Sequence, residues 1–250
     1  MIQIDTKTSD FPWINNFKIG CCGFPVSRKL YYKHFKLVEI QQSFYNVSDI
    51  TTASKWRDEA PSDFEFSIKA SQLITHPSSS PTYRKAGINI PVTDFNRYGF
   101  FRPSSEVYLA WEKTELFARV LKTRAIVFQC PPSFDETTQN IENIIRFFNS
   151  IKDRRYLYVW EPRGNWHEQT IKRLCNELSL VHCFDPLERQ SSIEPINYFR
   201  LHGGPHYRHR YTPEELEILK QKTQNTKSYI LFNNIYMYQN ALSFASIIQS

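Results

Sequence analysis

The chain has 250 residues, 41% hydrophobic and 22% charged, and its 31 Lys and Arg against 25 Asp and Glu leave a net charge of +6. This composition argues against a disordered chain, and against a membrane protein, since no apolar run approaches the roughly 20 residues that span a bilayer. The basic balance admits an anionic partner without requiring one.

The length fits one large α/β barrel or two small domains, and the rhythm of the chain favours a single domain over residues 1–250. The opening MIQIDTKTSD has no basic segment followed by an apolar stretch, so no secretory leader and a cytoplasmic location are expected. Five cysteines, an odd number without a CxxC pair, read as reduced, with Cys175 and Cys183 buried.

After a lead-in over residues 1–17, the first strand is expected at Lys18 to Phe24. Gly20 and Gly23 bracket it, where glycine either lets backbones pass closely or leaves room for a ligand. A short helical piece with Leu30, Tyr31 and Phe35 leads to a second strand, Leu37 to Tyr45, on which Leu37, Glu39 and Gln41 share a face. A helix from Thr52 to Ala60 precedes the third strand, Glu65 to Ser71, with Ser67, Lys69 and Ser71 on one face. Residues 72–104 then break the rhythm with four prolines. Connections of this length are usually functional or mobile, and a lid is the expectation.

A helix carrying Leu109, Trp111, Leu116, Phe117 and Val120 leads to the fourth strand, Arg124 to Cys130, with Gln129 at its tip. Ile141, Ile144, Ile145 and Phe148, spaced i, i+3, i+4 and i+7, predict a buried helix face; Ile171, Leu174, Cys175 and Leu178 predict another. Between them lies YLYVWEPRGNW, Tyr156 to Trp166, an apolar strand that ends in charge. Leu157, Val159 and Glu161 alternate onto one face, Pro162 ends the ladder, and Arg163 and Trp166 fall in the turn.

The sixth, seventh and eighth strands are expected at Leu180 to Asp185, Ile196 to His202 and Ser228 to Asn233. Tyr198, Arg200 and His202 share a face of the seventh, whose loop, His206 to Tyr211, alternates basic and aromatic residues. Thr212, Pro213 and Glu215 predict a helix start with an N-cap, Pro at N1 and Glu at N3. A last helix carries Ala241, Phe244, Ala245 and Ile248.

Eight short strands, most followed by an amphipathic helix, predict an α/β fold of the TIM type: a (β/α)8 barrel with a long loop after strand 3. In strand after strand the interrupting polar residue falls on a single face near the C-terminal end. Glu39, Gln41, Lys69, Gln129, Glu161, Asp185, Arg200 and His202 are therefore expected to converge on one mouth, where such barrels carry their sites.

The ordered runs GCCGF, VEIQQSFY, the Trp56 to His76 pattern W-x4-P-x2-F-x-F-x-x-K-A-S with ITH after it, VFQCPPSF, VWEPRGNW, YFRLHGG and a final FNN resemble the YecE-like family, labelled domain of unknown function seventy-two, over about residues 18–245. The resemblance implies a TIM-barrel-like fold but names no reaction. Its recurring positions fall here on Glu39, Phe44, Tyr45, Lys69, Thr75, His76, Gln129, Glu161, Arg163, Trp166, Arg200, His202, Gly203, Tyr207, Tyr211, Asn233 and Asn240. The chain departs from the family where Gln41, Gln42 and Ser43 replace Asn-Ser-Thr, and where Pro162 replaces a common aromatic.

The mouth mixes the carboxylates Glu39, Glu161 and Asp185 with the cations Lys69, Arg163 and Arg200 and with His202. Arg grips phosphate or carboxylate oxygens in pairs, Lys supplies a compact charge, and a carboxylate among apolar walls can serve as an acid or base. The mixture predicts a hydrolase or lyase for an anionic, phosphate-bearing substrate, a nucleic-acid end included. Glu161, Glu39, Asp185 and His202 are its candidate acids and bases. Lys69, His76, Gln129, Arg163, Trp166, Arg200, Tyr207, Tyr211 and Asn233 are its candidate substrate contacts.

A single Mg²⁺ suits the carboxylates better than zinc, because a Gly-Gly-Pro turn separates His202 from His206 and His209. Two carboxylates also permit glycoside hydrolysis, which the excess of cations disfavours. A third reading is non-catalytic: nucleic acid or another phosphate ligand bound through Arg84, Lys85, Tyr207, Arg208 and Arg210, against the alternative of a solvated basic turn. Nothing in the sequence speaks to oligomeric state.

Overall fold

Eight parallel strands pair in sequence order into a closed barrel, and a long insertion follows the third, as the rhythm of the sequence predicts. The computed structural model describes residues 16–46, 49–151, 155–189 and 195–249. The expected lead-in lies almost wholly outside them, as does the stretch read for a leader.

The strands are β1 (Phe17–Cys22), β2 (Leu37–Ile40), β3 (Glu65–Lys69), β4 (Ala125–Gln129), β5 (Leu157–Glu161), β6 (Leu180–Phe184), β7 (Ile196–Leu201) and β8 (Lys227–Phe232). The helices are α1 (Arg28–His34), α2 (Gln42–Tyr45), α3 (Ile50–Glu59), α4 (Gln72–Thr75), α5 (Pro81–Lys85), α6 (Ser105–Leu121), α7 (Thr138–Ser150), α8 (Glu168–Leu178), α9 (Pro213–Thr223) and α10 (Met237–Gln249). The chain divides into two compact units, one of Met1–Glu39, Ala60–Phe66 and Cys183–Ser250, the other of Ile40–Glu59 and Ser67–His182.

In the first unit β1 lies between β2 and β8, with Gly20 opposite Leu37 and Leu231. A Cβ on Gly20 would stand 2.3 Å from the Leu37 carbonyl oxygen, so this glycine serves close backbone approach. The fully buried Tyr31 ties β1 to β2: its hydroxyl accepts from the Cys21 amide at 2.7 Å and donates to the Leu37 carbonyl at 2.8 Å. Phe244 of α10 packs edge-on against Phe17 and Phe232. The expected start of α9 is present as a complete capping box, with Thr212 and Glu215 exchanging hydrogen bonds.

In the second unit the core is aromatic. Phe101, fully buried, touches the rings of Phe128, Phe134, Phe147 and Phe148. Residues 72–104 are not one open loop: α4, α5 and a 3-10 segment, Val92–Arg97, break them up. Both ends of the insertion are anchored, since the Gly99 and Phe101 amides donate to the Leu73 and Ile74 carbonyls and the Tyr83 hydroxyl donates to His76.

Two sequence expectations are corrected here, at the second strand and on α7. The second strand stops at Ile40 rather than Tyr45, because the Ser43 hydroxyl donates to the Lys69 carbonyl at 2.7 Å and residues 42–45 wind into a helical turn. Gln41 therefore leaves the strand face assigned to it. Leu109 and Leu116 of α6 are exposed, 52% and 39%, while Val107, Ala110, Trp111, Thr114, Phe117, Ala118 and Leu121 form the buried stripe. On α7 the buried face turns from Ile141 and Ile145 toward Asn143 and Phe147, because the Asn143 amide donates to the Phe100 carbonyl at 3.0 Å. By contrast Ile171, Leu174, Cys175 and Leu178 of α8 are all buried, as their spacing predicts, and all five cysteines are free and buried.

Candidate functional site

Each unit gathers polar side chains at the C-terminal ends of its strands, and the two groups differ in character. In the second unit β3 ends in Lys69, β4 in Gln129 and β5 in Glu161, with Gln129 and Glu161 opposite one another. Pro162 has no amide to extend the ladder, and the chain turns so that the Arg163 Nε donates to Glu161 Oε1 at 2.8 Å. The carboxylate side chain is 5% exposed and the guanidinium 27%, so one partner is sheltered while the other still meets solvent.

The loop carrying Arg163 is fixed from below. A Cβ on Gly164 would stand 2.1 Å from the Phe134 carbonyl oxygen. The Asn165 amide donates to Asp135 and the His167 amide to Glu136, both at 2.8 Å. Trp166 is buried against Phe134 and Trp160, and its indole N–H donates to the Phe134 carbonyl.

The helical turn that ends the second strand early has a consequence at this site. It sets the Phe44 ring under Lys69, with Nζ 3.6 Å from the ring centroid, a close cation–π contact. His76 stands edge-on to the same ring at 4.8 Å, and its Nδ1 lies 2.8 Å from the Thr75 hydroxyl. Burial, and then the positive charges of Lys69 and Arg163, lower the His76 pKa to about 3. Lys69 and Arg163 thus both act on His76, Arg163 holds Glu161, and the imidazole is uncharged at neutral pH.

In the first unit Glu39 and Arg200 form an ion pair at 3.0 Å with side chains 0% and 1% exposed. The second carboxylate oxygen accepts from the Tyr198 hydroxyl at 2.8 Å, and that ring stacks on Tyr229. Cys22, opposite Glu39 in the register, has its thiol pKa held well above the usual range by burial and by the Glu39 charge, partly offset by Arg200.

Asp185, just past β6, accepts from the Leu187 amide at 3.0 Å, the His202 amide at 3.1 Å and the Tyr211 hydroxyl at 3.4 Å. The Tyr211 hydroxyl in turn accepts from Gly203 at 2.8 Å, and His202 Nδ1 lies 3.1 Å from the Asn233 amide nitrogen. Burial raises the Asp185 pKa to about 6, against the pull of those hydrogen bonds. Tyr207 meets His202 edge-on, with its ring 40% exposed.

Sequence reasoning missed Cys22 and the Tyr198 hydroxyl as partners of the Glu39–Arg200 pair. The signal was present, because Lys18, Gly20 and Cys22 alternate onto one face of β1 and Tyr198 shares the Arg200 face of β7.

The two shifted groups pull stability in opposite directions with pH. The folded-state pKa of His76 lies below its unfolded value near 6.5, so its contribution is present above that pH and is lost as pH falls. The loss is about 2 kcal/mol by pH 5. The folded-state pKa of Asp185 is raised, so its contribution is present at low pH and is lost as pH rises through about 6. It still supplies on the order of 1 kcal/mol at pH 5. Urea unfolding of His76→Gln between pH 4 and 8 should show a flatter acid limb than the parent, and a variant as acid-labile as the parent would contradict the buried neutral imidazole.

Among the described residues no group of three or more His, Cys, Asp or Glu is placed to hold a metal ion, and no helix is long and apolar enough to cross a membrane.

A closed parallel β/α barrel with charged groups at its strand ends is a barrel of the TIM type. The chain belongs to the family described as Protein of unknown function DUF72, whose sequence profile matches residues 26–250. It is similar to the UPF0759 protein YunF of Bacillus subtilis, 24% identical over 238 residues that cover 82% of this chain and 79% of that protein. It shares its fold with the crystal structure of a DUF72 family protein from Enterococcus faecalis, with a TM-score of 0.70 and 18% identity over 94% of this chain and 98% of that one. A xylose isomerase domain containing protein from Salmonella typhimurium follows the same fold, with a TM-score of 0.59 and 14% identity over 95% and 94% of the two chains.

Proposed function

We propose that the protein is an enzyme, a hydrolase or lyase for a phosphate-bearing anion, with Lys69 and Arg163 holding the anion and Glu161 moving the proton. The observation that carries this reading is a solvent-reaching guanidinium 2.8 Å from a sheltered carboxylate, with Lys69 and His76 packed on the Phe44 ring in the same unit. Two cations converging on one small region favour an anionic ligand. An anion bound to Arg163 competes with Glu161 for the guanidinium and frees the carboxylate to accept a proton from water or carbon. His76, uncharged, supplies a hydrogen bond without a titrating charge, and Gln129 offers an amide at the neighbouring strand end.

In this reading Glu39 serves Arg200 and Tyr198 rather than the substrate, since all three are engaged with one another and sealed from water. Asp185, His202, Tyr211 and Asn233 set the shape of the chain after β7. The carboxylates suit Mg²⁺ poorly, because Glu161 faces a guanidinium, Glu39 a guanidinium and a phenol, and Asp185 two amides and a phenol. Donor sets of that kind stabilise negative oxygen rather than offer it to a cation. The isomerase label of the Salmonella protein conveys the fold and not the substrate.

A panel of phosphomonoesters, phosphodiesters and sugar phosphates, incubated with the parent protein and with Arg163→Gln, tests the proposal. Product release by the parent and its loss in the variant is the expected result. Cleavage of neutral glycosides with no action on phosphate esters would replace it.

A further inference from the structure

The loops after β7 and β8 present a patch that the proposed chemistry does not use. Among the described residues ten large hydrophobic side chains are exposed, and three of them, Tyr207 at 40%, Ile235 at 61% and Tyr236 at 37%, lie here together. The two loops are one built surface, for the Ile235 amide donates to the Tyr207 carbonyl at 2.9 Å and the Asn234 side-chain amide to the His209 carbonyl at 2.6 Å. Left-handed backbone at Gly203, Gly204, His206 and Tyr207 fixes the turn. Non-glycine residues hold such angles only when surrounding structure imposes them, so the ring of Tyr207 is presented by a set backbone.

Two exposed arginines stand beside these rings. His206, Arg208 and Arg210 all meet solvent, and the Arg210 guanidinium lies over the Tyr236 ring at 5.9 Å. Of the carboxylates beside the turn, Glu215 accepts from the Thr212 amide and bonds His209 at 2.8 Å and Asp185 accepts from the amides below, while Glu188 and Glu214 are exposed.

We infer that these two loops form a platform for single-stranded nucleic acid, with unpaired bases stacking on Tyr207 and Tyr236 and backbone phosphates meeting Arg208 and Arg210. Two exposed rings held by a set backbone offer faces to any base, and interleaved arginines track a phosphate chain; together these are the two components of sequence-tolerant strand binding. A duplex, whose bases are stacked on each other, would use only the charges.

The test is fluorescence anisotropy of a labelled oligothymidylate of about 15 nucleotides, at the long end of ordinary single-strand site sizes, titrated with the full chain over a range of salt. Tyr207→Leu and Tyr236→Leu keep apolar bulk but remove the ring, and each is expected to weaken binding about tenfold or more, whereas Tyr207→Phe and Tyr236→Phe retain it. Arg208→Gln and Arg210→Gln are each expected to lower the slope of log affinity against log salt by roughly 0.7. Melting temperatures of the variants check folding, and the arginine variants keep the test open if a leucine variant melts early. None of these side chains belongs to the Lys69, Glu161 and Arg163 group, so the outcome is independent of phosphate-ester turnover. No binding at low salt, duplex bound as tightly as single strand, or leucine variants binding like the parent would each overturn the inference.

Discussion

Arg200→Met should lower the unfolding free energy by about 3–5 kcal/mol, because it strands the Glu39 carboxylate in a place water does not reach. Both side chains are sealed, at 0% and 1% exposure, and the neutral Tyr198 hydroxyl does not cancel the charge that remains. The interior of a TIM-type barrel is ordinarily filled by branched aliphatic side chains, so an ion pair there is held by its partners and not by solvent. Removing the charge from both sides at once, in Glu39→Gln with Arg200→Met, should recover most of the loss. No ion is then left buried, and the glutamine keeps an acceptor for Tyr198. Urea titrations of the single and the double variant measure this. A single variant within about 1 kcal/mol of the parent, the range of exposed pairs, would show that the pair is solvated.

Glu161→Gln tests the other carboxylate and should behave differently. Arg163 is 27% exposed, so water takes over part of what the carboxylate supplied, and the stability cost should stay at about 1 kcal/mol, the upper end for solvent-reached pairs. The amide keeps size and shape but cannot exchange a proton at neutral pH. Turnover of whichever phosphate ester the parent cleaves should therefore fall by about a hundredfold or more. A large loss of melting temperature with unchanged activity per folded molecule would mean that Glu161 only anchors Arg163.

Where hydrophobic spacing alone decides, the sequence was read correctly: the i, i+3, i+4, i+7 set on α8 is buried, and the start of α9 carries the expected capping box. The reading slipped where a partner distant in sequence decides. Nothing within residues 37–45 shows that Ser43 will bond the Lys69 carbonyl, yet that bond ends β2 and carries Phe44 under Lys69. His76 entered only through the family resemblance. In the sequence it sits inside an irregular proline-rich stretch, and its seat beside Phe44 and Thr75 appears only once the insertion is anchored.

The central claim is an anion site built from Lys69 and Arg163, and titration calorimetry of the full chain with inorganic phosphate and with a sugar phosphate, at low salt, tests it most directly. Heat of binding is predicted for the parent, with loss in Lys69→Gln and in Arg163→Gln. Tyr236→Leu, on a different loop, should bind phosphate like the parent. No uptake by the parent, or equal uptake by the Lys69 and Arg163 variants, would contradict the account.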